Sequence, residues 1–98
     1  MERVKRVNWT NNAKIALRAI FDFHAANSEL SAEIIINDII DKADSIVFAK
    51  QYQVDEINPK YRRMIARQYK ILYKVHLDTV FIMNVVSTKD NPEKLKNL

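Results

Sequence analysis

Two spacings alternate along this chain, one of two residues and one of three to four, and the switches between them mark six elements. Val4 to Trp9 alternates, with Lys5, Val7 and Trp9 on one side and Val4, Arg6 and Asn8 on the other, which predicts a short strand. Thr10 follows as a helix cap, because its hydroxyl can accept an orphan amide of the first turn. From Asn11 to about Ala26, the residues Ala13, Ala16, Leu17, Ile20, Phe21 and His24 keep helical spacing. Asn27 and Ser28 interrupt that pattern. Ser31 is the expected cap of a second helix running to about Phe48, lined by Ile36, Ile39, Ile40, Ala43, Ile46 and Val47. So short a break predicts an antiparallel helical hairpin. Residues 49–60 carry no period, and Pro59 holds Asn58 extended.

Alternation then returns in three segments, Tyr61 to Arg67, Tyr69 to His76 and Thr79 to Val86, joined at Arg67-Gln68 and Leu77-Asp78. Turns this short predict an antiparallel meander. In its middle strand Tyr69, Ile71, Tyr73 and Val75 are expected to face the helices, while Lys70, Leu72, Lys74 and His76 face outward. The expected fold class is α+β in the order βααβββ, with a helical hairpin packed on one face of a four-stranded, mainly antiparallel sheet. One domain spans residues 1–98, and 88–98 is expected to be a loosely attached tail.

Composition excludes whole classes of function. There is no glycine, so a dinucleotide-binding turn, a phosphate-binding loop and a nucleophile elbow are all ruled out, since each needs glycine for close backbone approach. There is no cysteine, and His24 and His76 are far apart in sequence, so no metal site and no cofactor are expected. The first residues are charged, and no run approaches the roughly 18 apolar residues of a membrane span. A cytoplasmic protein without membrane contact is the expectation.

Charge sharpens the picture. The formal net charge is +4, but its distribution is uneven. Acidic residues concentrate in the helices and the aperiodic stretch, at Asp22, Glu29, Glu33, Asp38, Asp41, Asp44, Asp55 and Glu56. Between Pro59 and Leu77 lie Lys60, Arg62, Arg63, Arg67, Lys70 and Lys74 with no acid among them, interleaved with Tyr61, Tyr69 and Tyr73. Cations and rings projecting from one sheet face suit an anionic partner. The alternative is a solvated face whose lysines merely discourage edge-to-edge pairing. On the first helix Ile15, Ala19 and Phe23 form a second apolar stripe, and Ile34 and Ile35 widen the arc of the second. These either mark a partner surface or close against each other within the hairpin.

The order of elements, with Val7-Asn8-Trp9-Thr10, Pro59-Lys60-Tyr61-Arg62-Arg63, the strand Tyr69-Lys70-Ile71-Leu72-Tyr73-Lys74-Val75 and the closing Asn91-Pro92-Glu93-Lys94-Leu95, resembles the RelE/ParE superfamily of bacterial toxins, also called plasmid-stabilisation proteins. The likeness is closer to the ParE side. It implies the toxic half of a type II toxin–antitoxin pair, inhibiting growth and neutralised by a cognate antitoxin, alone as a homodimer or with the antitoxin as a heterotetramer. ParE-like relatives inhibit DNA gyrase without chemistry of their own. RelE-like relatives are metal-independent endoribonucleases that cut mRNA on the ribosome.

For the nuclease reading, the resemblance places Arg62, Lys70 and Lys89 at basic positions, while Met64 and Leu95 fall where a lysine and a tyrosine are expected. His76 is the substitute base, with Glu56 as acid. Replacing arginine by Lys70 also removes a bidentate phosphate clamp. For the binding reading, the candidate target- or antitoxin-contacting residues are Arg62, Arg63, Arg67, Lys70, Lys74, Ile15 and Phe23. Arg62 has a structural alternative, tying Tyr61 and the Asp55-Glu56 loop to the sheet, and His24 reads as a satisfied core residue. A third reading is an inactive basic binding module.

Overall fold

The computed structural model describes residues 3–90. Its elements are β1 (Arg6–Trp9), α1 (Asn11–Ala25), α2 (Glu29–Asp44), β2 (Arg62–Ala66), β3 (Tyr69–His76) and β4 (Thr79–Ser87). The sheet order is β1-β4-β3-β2. β2, β3 and β4 form the antiparallel meander, and β1 joins the far side of β4 in parallel. The α+β architecture of two helices and four strands is the one the periodicity predicts.

Local chemistry explains most boundaries. Thr10 caps α1, its hydroxyl accepting the Ala13 amide at 3.3 Å. The same hydroxyl donates to the Ile82 carbonyl at 2.6 Å, so the cap also fastens the helix start to β4. The second helix begins earlier than expected. Ser28, not Ser31, is its cap, and the Ser28 hydroxyl accepts the Ser31 amide at 3.1 Å. It also ends earlier, at Asp44 rather than near Phe48. A tertiary pairing takes the chain away, because the Val4 amide donates to the Val47 carbonyl at 2.7 Å and Arg3 bridges Phe48.

Both hairpin turns are built without glycine. Arg67 and Leu77 take up the left-handed backbone instead, at φ 56° and 55°. Such a conformation costs an L-residue about 1–2 kcal/mol, and the flanking ladders hold it in place. Arg67 therefore belongs to a turn and not to β2. Thr88, expected to begin a loose tail, is anchored: its amide and hydroxyl both donate to the Gln68 carbonyl, at 2.7 and 2.9 Å. The rest of that segment, including the Asn91–Leu95 motif, lies outside the described residues.

The core lies between the helices and the inner sheet face. Tyr69, Ile71, Tyr73 and Val75 point into it as the alternation predicts, joined by Ile20, Ile39, Met64, Val80 and Ile82. Tyr73 is fully buried, with its hydroxyl donating to the Ala49 carbonyl at 3.2 Å. Burial pushes that phenol above its ordinary pKa. The outer face departs from expectation. It carries a second, smaller core of Leu72 and Val86, capped by Ile57 and Tyr61 from the aperiodic segment.

Candidate protein-binding surfaces

Residues 49–61 wrap the edge of β2 as a strap. Ala49 and Tyr52 lie on the helix side, Gln53 and Val54 pair along β2, and Ile57 and Tyr61 lie on the outer face. One carboxylate fastens the strap. Asp55 is fully buried. Its Oδ2 accepts the amides of Asn58 at 2.8 Å and Ile57 at 3.2 Å, an Asx turn that folds the strap on itself. Its Oδ1 accepts from Lys70 Nζ at 2.8 Å. Arg63 Nε stands 3.5 Å from the same oxygen, forming an ion pair without a hydrogen bond. Burial alone would raise the carboxyl's pKa, but Lys70 and the two amides outweigh it and hold Asp55 below its ordinary value. The aspartate is therefore ionised near neutral pH, and Lys70, itself buried, has it as its counter-charge.

The six cations consequently do not form one outward surface, which corrects the expectation. Register pairs Arg62 with Tyr73, so Arg62 lies on the helix side, where its guanidinium donates to the Tyr52 carbonyl at 2.7 Å. A structural role for an arginine in tying down the loop is present, but it is divided: Arg62 holds Tyr52, and Arg63 holds Asp55 and, at 3.8 Å, Glu56. Arg67 turns at the hairpin tip to Asp38 of α2, with Nε and Oδ2 2.6 Å apart. Lys60 and Lys74 stay exposed. Both ammoniums lie over the Tyr61 ring, 5.1 and 5.3 Å from its centroid, and neither has an ion pair among the described residues.

The candidate nuclease groups are not brought together. Lys70 is consumed by Asp55, and Arg62 points to the opposite side of the sheet. His76 is exposed at the far end of β3, six residues and about 20 Å along the strand from Lys70. Lys89 follows β4 at the other end, beside Gln68. Glu56 faces Arg63 rather than His76. His24 is half-buried on α1 and hydrogen-bonds through Nε2 to the Tyr69 hydroxyl at 2.7 Å, a satisfied helix–sheet link.

On the helical side the two apolar stripes part company. Ile35 packs into the core, whereas Ile15 and Phe23 are 67% and 70% exposed and Ile34 is 46% exposed. The hairpin thus closes over only part of the apolar arc. Phe23, Ala19 and Ala16 of α1 form one wall of an open groove of about 670 Å³ whose other wall is Tyr69, Val85 and Val86. Lys89 and Asp90 stand at its rim. Among the described residues there is no group of side chains able to hold a metal ion, and no helix is long and apolar enough to cross a membrane.

The family described as "ParE toxin of type II toxin-antitoxin system, parDE" matches residues 7–92, nearly the whole chain. The chain belongs to the ParE toxin family. It is the toxin component of a type II toxin–antitoxin system. Among solved structures it is similar to a chain of the chromosomal ParDE TA system from P. aeruginosa, with a TM-score of 0.73 at 18% identity over 86% of this chain and 96% of that one. Likeness at that identity concerns the fold. No curated protein matches. Within this ParE fold, the residue that sequence reasoning missed is Asp55. Its signal was present: Asp55 stands three residues before Asn58-Pro59, the spacing of an Asx turn, inside a stretch that otherwise has no pattern.

Proposed function

We propose that this toxin acts by binding rather than by chemistry, that its target is DNA gyrase, and that a cognate antitoxin neutralises it by covering the α1 groove. The observation that carries the binding reading is the buried Lys70–Asp55 ion pair. A lysine that is paired and covered by the strap offers no charge to a scissile phosphate, and the other candidate groups lie at both ends and on both sides of the sheet. A binding toxin needs only a complementary surface. The ParE membership supports gyrase as that partner, acting in the cytoplasm. The structural relative comes from a ParDE toxin–antitoxin system, which supports a protein antitoxin.

The groove fits such a partner because its walls are apolar and Phe23 projects over it, the arrangement in which an amphipathic segment buries its own side chains. Induction of the chain alone should arrest growth, and the purified protein should inhibit supercoiling by gyrase. Primer extension on messenger RNA after induction should show no codon-phased cuts. Cuts in register with the reading frame, with supercoiling untouched, would replace this reading by the ribosome-dependent nuclease.

A further inference from the structure

At the end of the sheet opposite the α1 groove, β3 runs on past its neighbour. The last pair of the β2–β3 ladder is Arg62 with Tyr73, while β3 continues through Lys74 and Val75 to His76 with β4 alone beside it. The reason lies in the sequence just before β2. Pro59 has no amide to give a ladder, and the chain doubles back there, with the Tyr61 amide donating to Asn58 and the Tyr61 carbonyl accepting from Asp55, both at 2.9 Å. A notch of about 450 Å³ is left where the next residues of β2 would have been.

The ladder's alternation says which backbone groups face it. The two-residue turn makes Ala66–Tyr69 a hydrogen-bonded pair, so Ile71 and Tyr73 also direct their polar groups toward β2. Val75 continues that series, and its N–H and C=O point into the notch. No bond to either is found among the described residues.

The lining of the notch mixes cations with apolar side chains. Lys50, Lys60 and Lys74 line it together with Arg62, which is held by the Tyr52 carbonyl, and no acidic residue lines it among the described residues. The strap's own acids are committed elsewhere, Asp55 to Lys70 and Arg63 and Glu56 to Arg63. Val54, Val75 and Leu77 supply apolar lining between the cations. Like charges gathered around one hollow repel one another until an anion enters.

We propose that this notch is a docking site for an extended acidic peptide segment of a partner protein, added as a short strand against β3 at Val75. Its backbone pairs with the open Val75 amide and carbonyl, its apolar side chains rest against Val54, Val75 and Leu77, and its carboxylates meet Lys50, Lys60 and Lys74. A nucleic acid would satisfy the lysines but would leave the strand edge unpaired, which is why the peptide is favoured. The proposal is independent of the toxin's target and of the α1 groove.

The test uses the full chain with a synthetic seven-residue peptide alternating valine and aspartate. Three controls accompany it: a lysine-for-aspartate version, a version N-methylated at alternate amides, and a single-stranded oligonucleotide of equal charge. Binding of the acidic peptide should slow hydrogen exchange at the Val75 amide. Affinity should fall by about tenfold or more in the Lys60→Glu/Lys74→Glu variant, whose sites are exposed and whose circular dichroism should be unchanged. N-methylation should abolish binding. Equal binding of the N-methylated peptide, a preference for the oligonucleotide, or unchanged exchange at Val75 under saturating peptide would each overturn it.

Discussion

Asp55 is the residue on which the outer face depends. It accepts from a lysine and two amides and forms an ion pair with an arginine, and removing its charge strands Lys70 without a partner. Asp55→Asn should therefore destabilise the fold by about 3–5 kcal/mol, read as a lowered urea midpoint, and Lys70→Met placed on top of it should recover much of the loss. The pH dependence has a definite sign. The folded carboxyl titrates below its ordinary value, so its contribution is complete above the unfolded pKa of about 3.9 and is lost as pH falls through the depressed folded value. Acid unfolding of the native chain should show this extra loss below about pH 4, and the Asp55→Asn variant should lack it.

Leu77 makes the opposite prediction. It is 75% exposed and held at φ 55°, so Leu77→Gly relieves backbone strain while forfeiting little packing. The thermal midpoint should rise by an amount equivalent to about 0.5–1 kcal/mol. A fall would mean that the ladder tolerates the left-handed leucine without strain.

At the scale of elements, α1 has two faces with different consequences. Ala13 and Ile20 are buried in the core, and changes there act through packing. Ile15 and Phe23 are exposed, so Ile15→Asp with Phe23→Asp should leave the unfolding midpoint within about 0.5 kcal/mol of the parent. The same pair should abolish co-purification with the cognate antitoxin. Loss of stability instead would place these residues in the fold rather than in the partner surface. The strap is the element least visible in advance. Its residues have no period because they do not repeat along a face; each makes a separate contact, Asp55 with Lys70, Ile57 with Leu72 and Tyr61 with Lys74. Periodicity detects regular structure, and contacts made one at a time leave no period.

Over the whole molecule, the meander and the helical hairpin were legible because strong alternation and helical spacing coincide with short turns. The inward set Tyr69, Ile71, Tyr73 and Val75 followed from alternation alone. The outward set did not keep its apparent meaning. Six cations in a stretch free of acids suggested a continuous basic face, but the acids that answer them are distant in sequence: Asp55 for Arg63 and Lys70, and Asp38 for Arg67. Charge counted along a segment ignores what folds onto it. Lys50, Lys60 and Lys74 are left without an ion pair among the described residues, and with Arg62 they line a gap in the ladder that composition does not reveal.

The amino-acid order by itself determined which residues alternate, where most elements lie, which functions are excluded by the lack of glycine and cysteine, and the family likeness that the ParE match then established. Only the tertiary structure decided which cations are free. Neutralisation of a charge depends on distance through space, and that is set by the path of the strap and by the register between strands, neither of which has a local signature. The parallel placement of β1 beside β4, and the open edge at Val75, were decided in the same way.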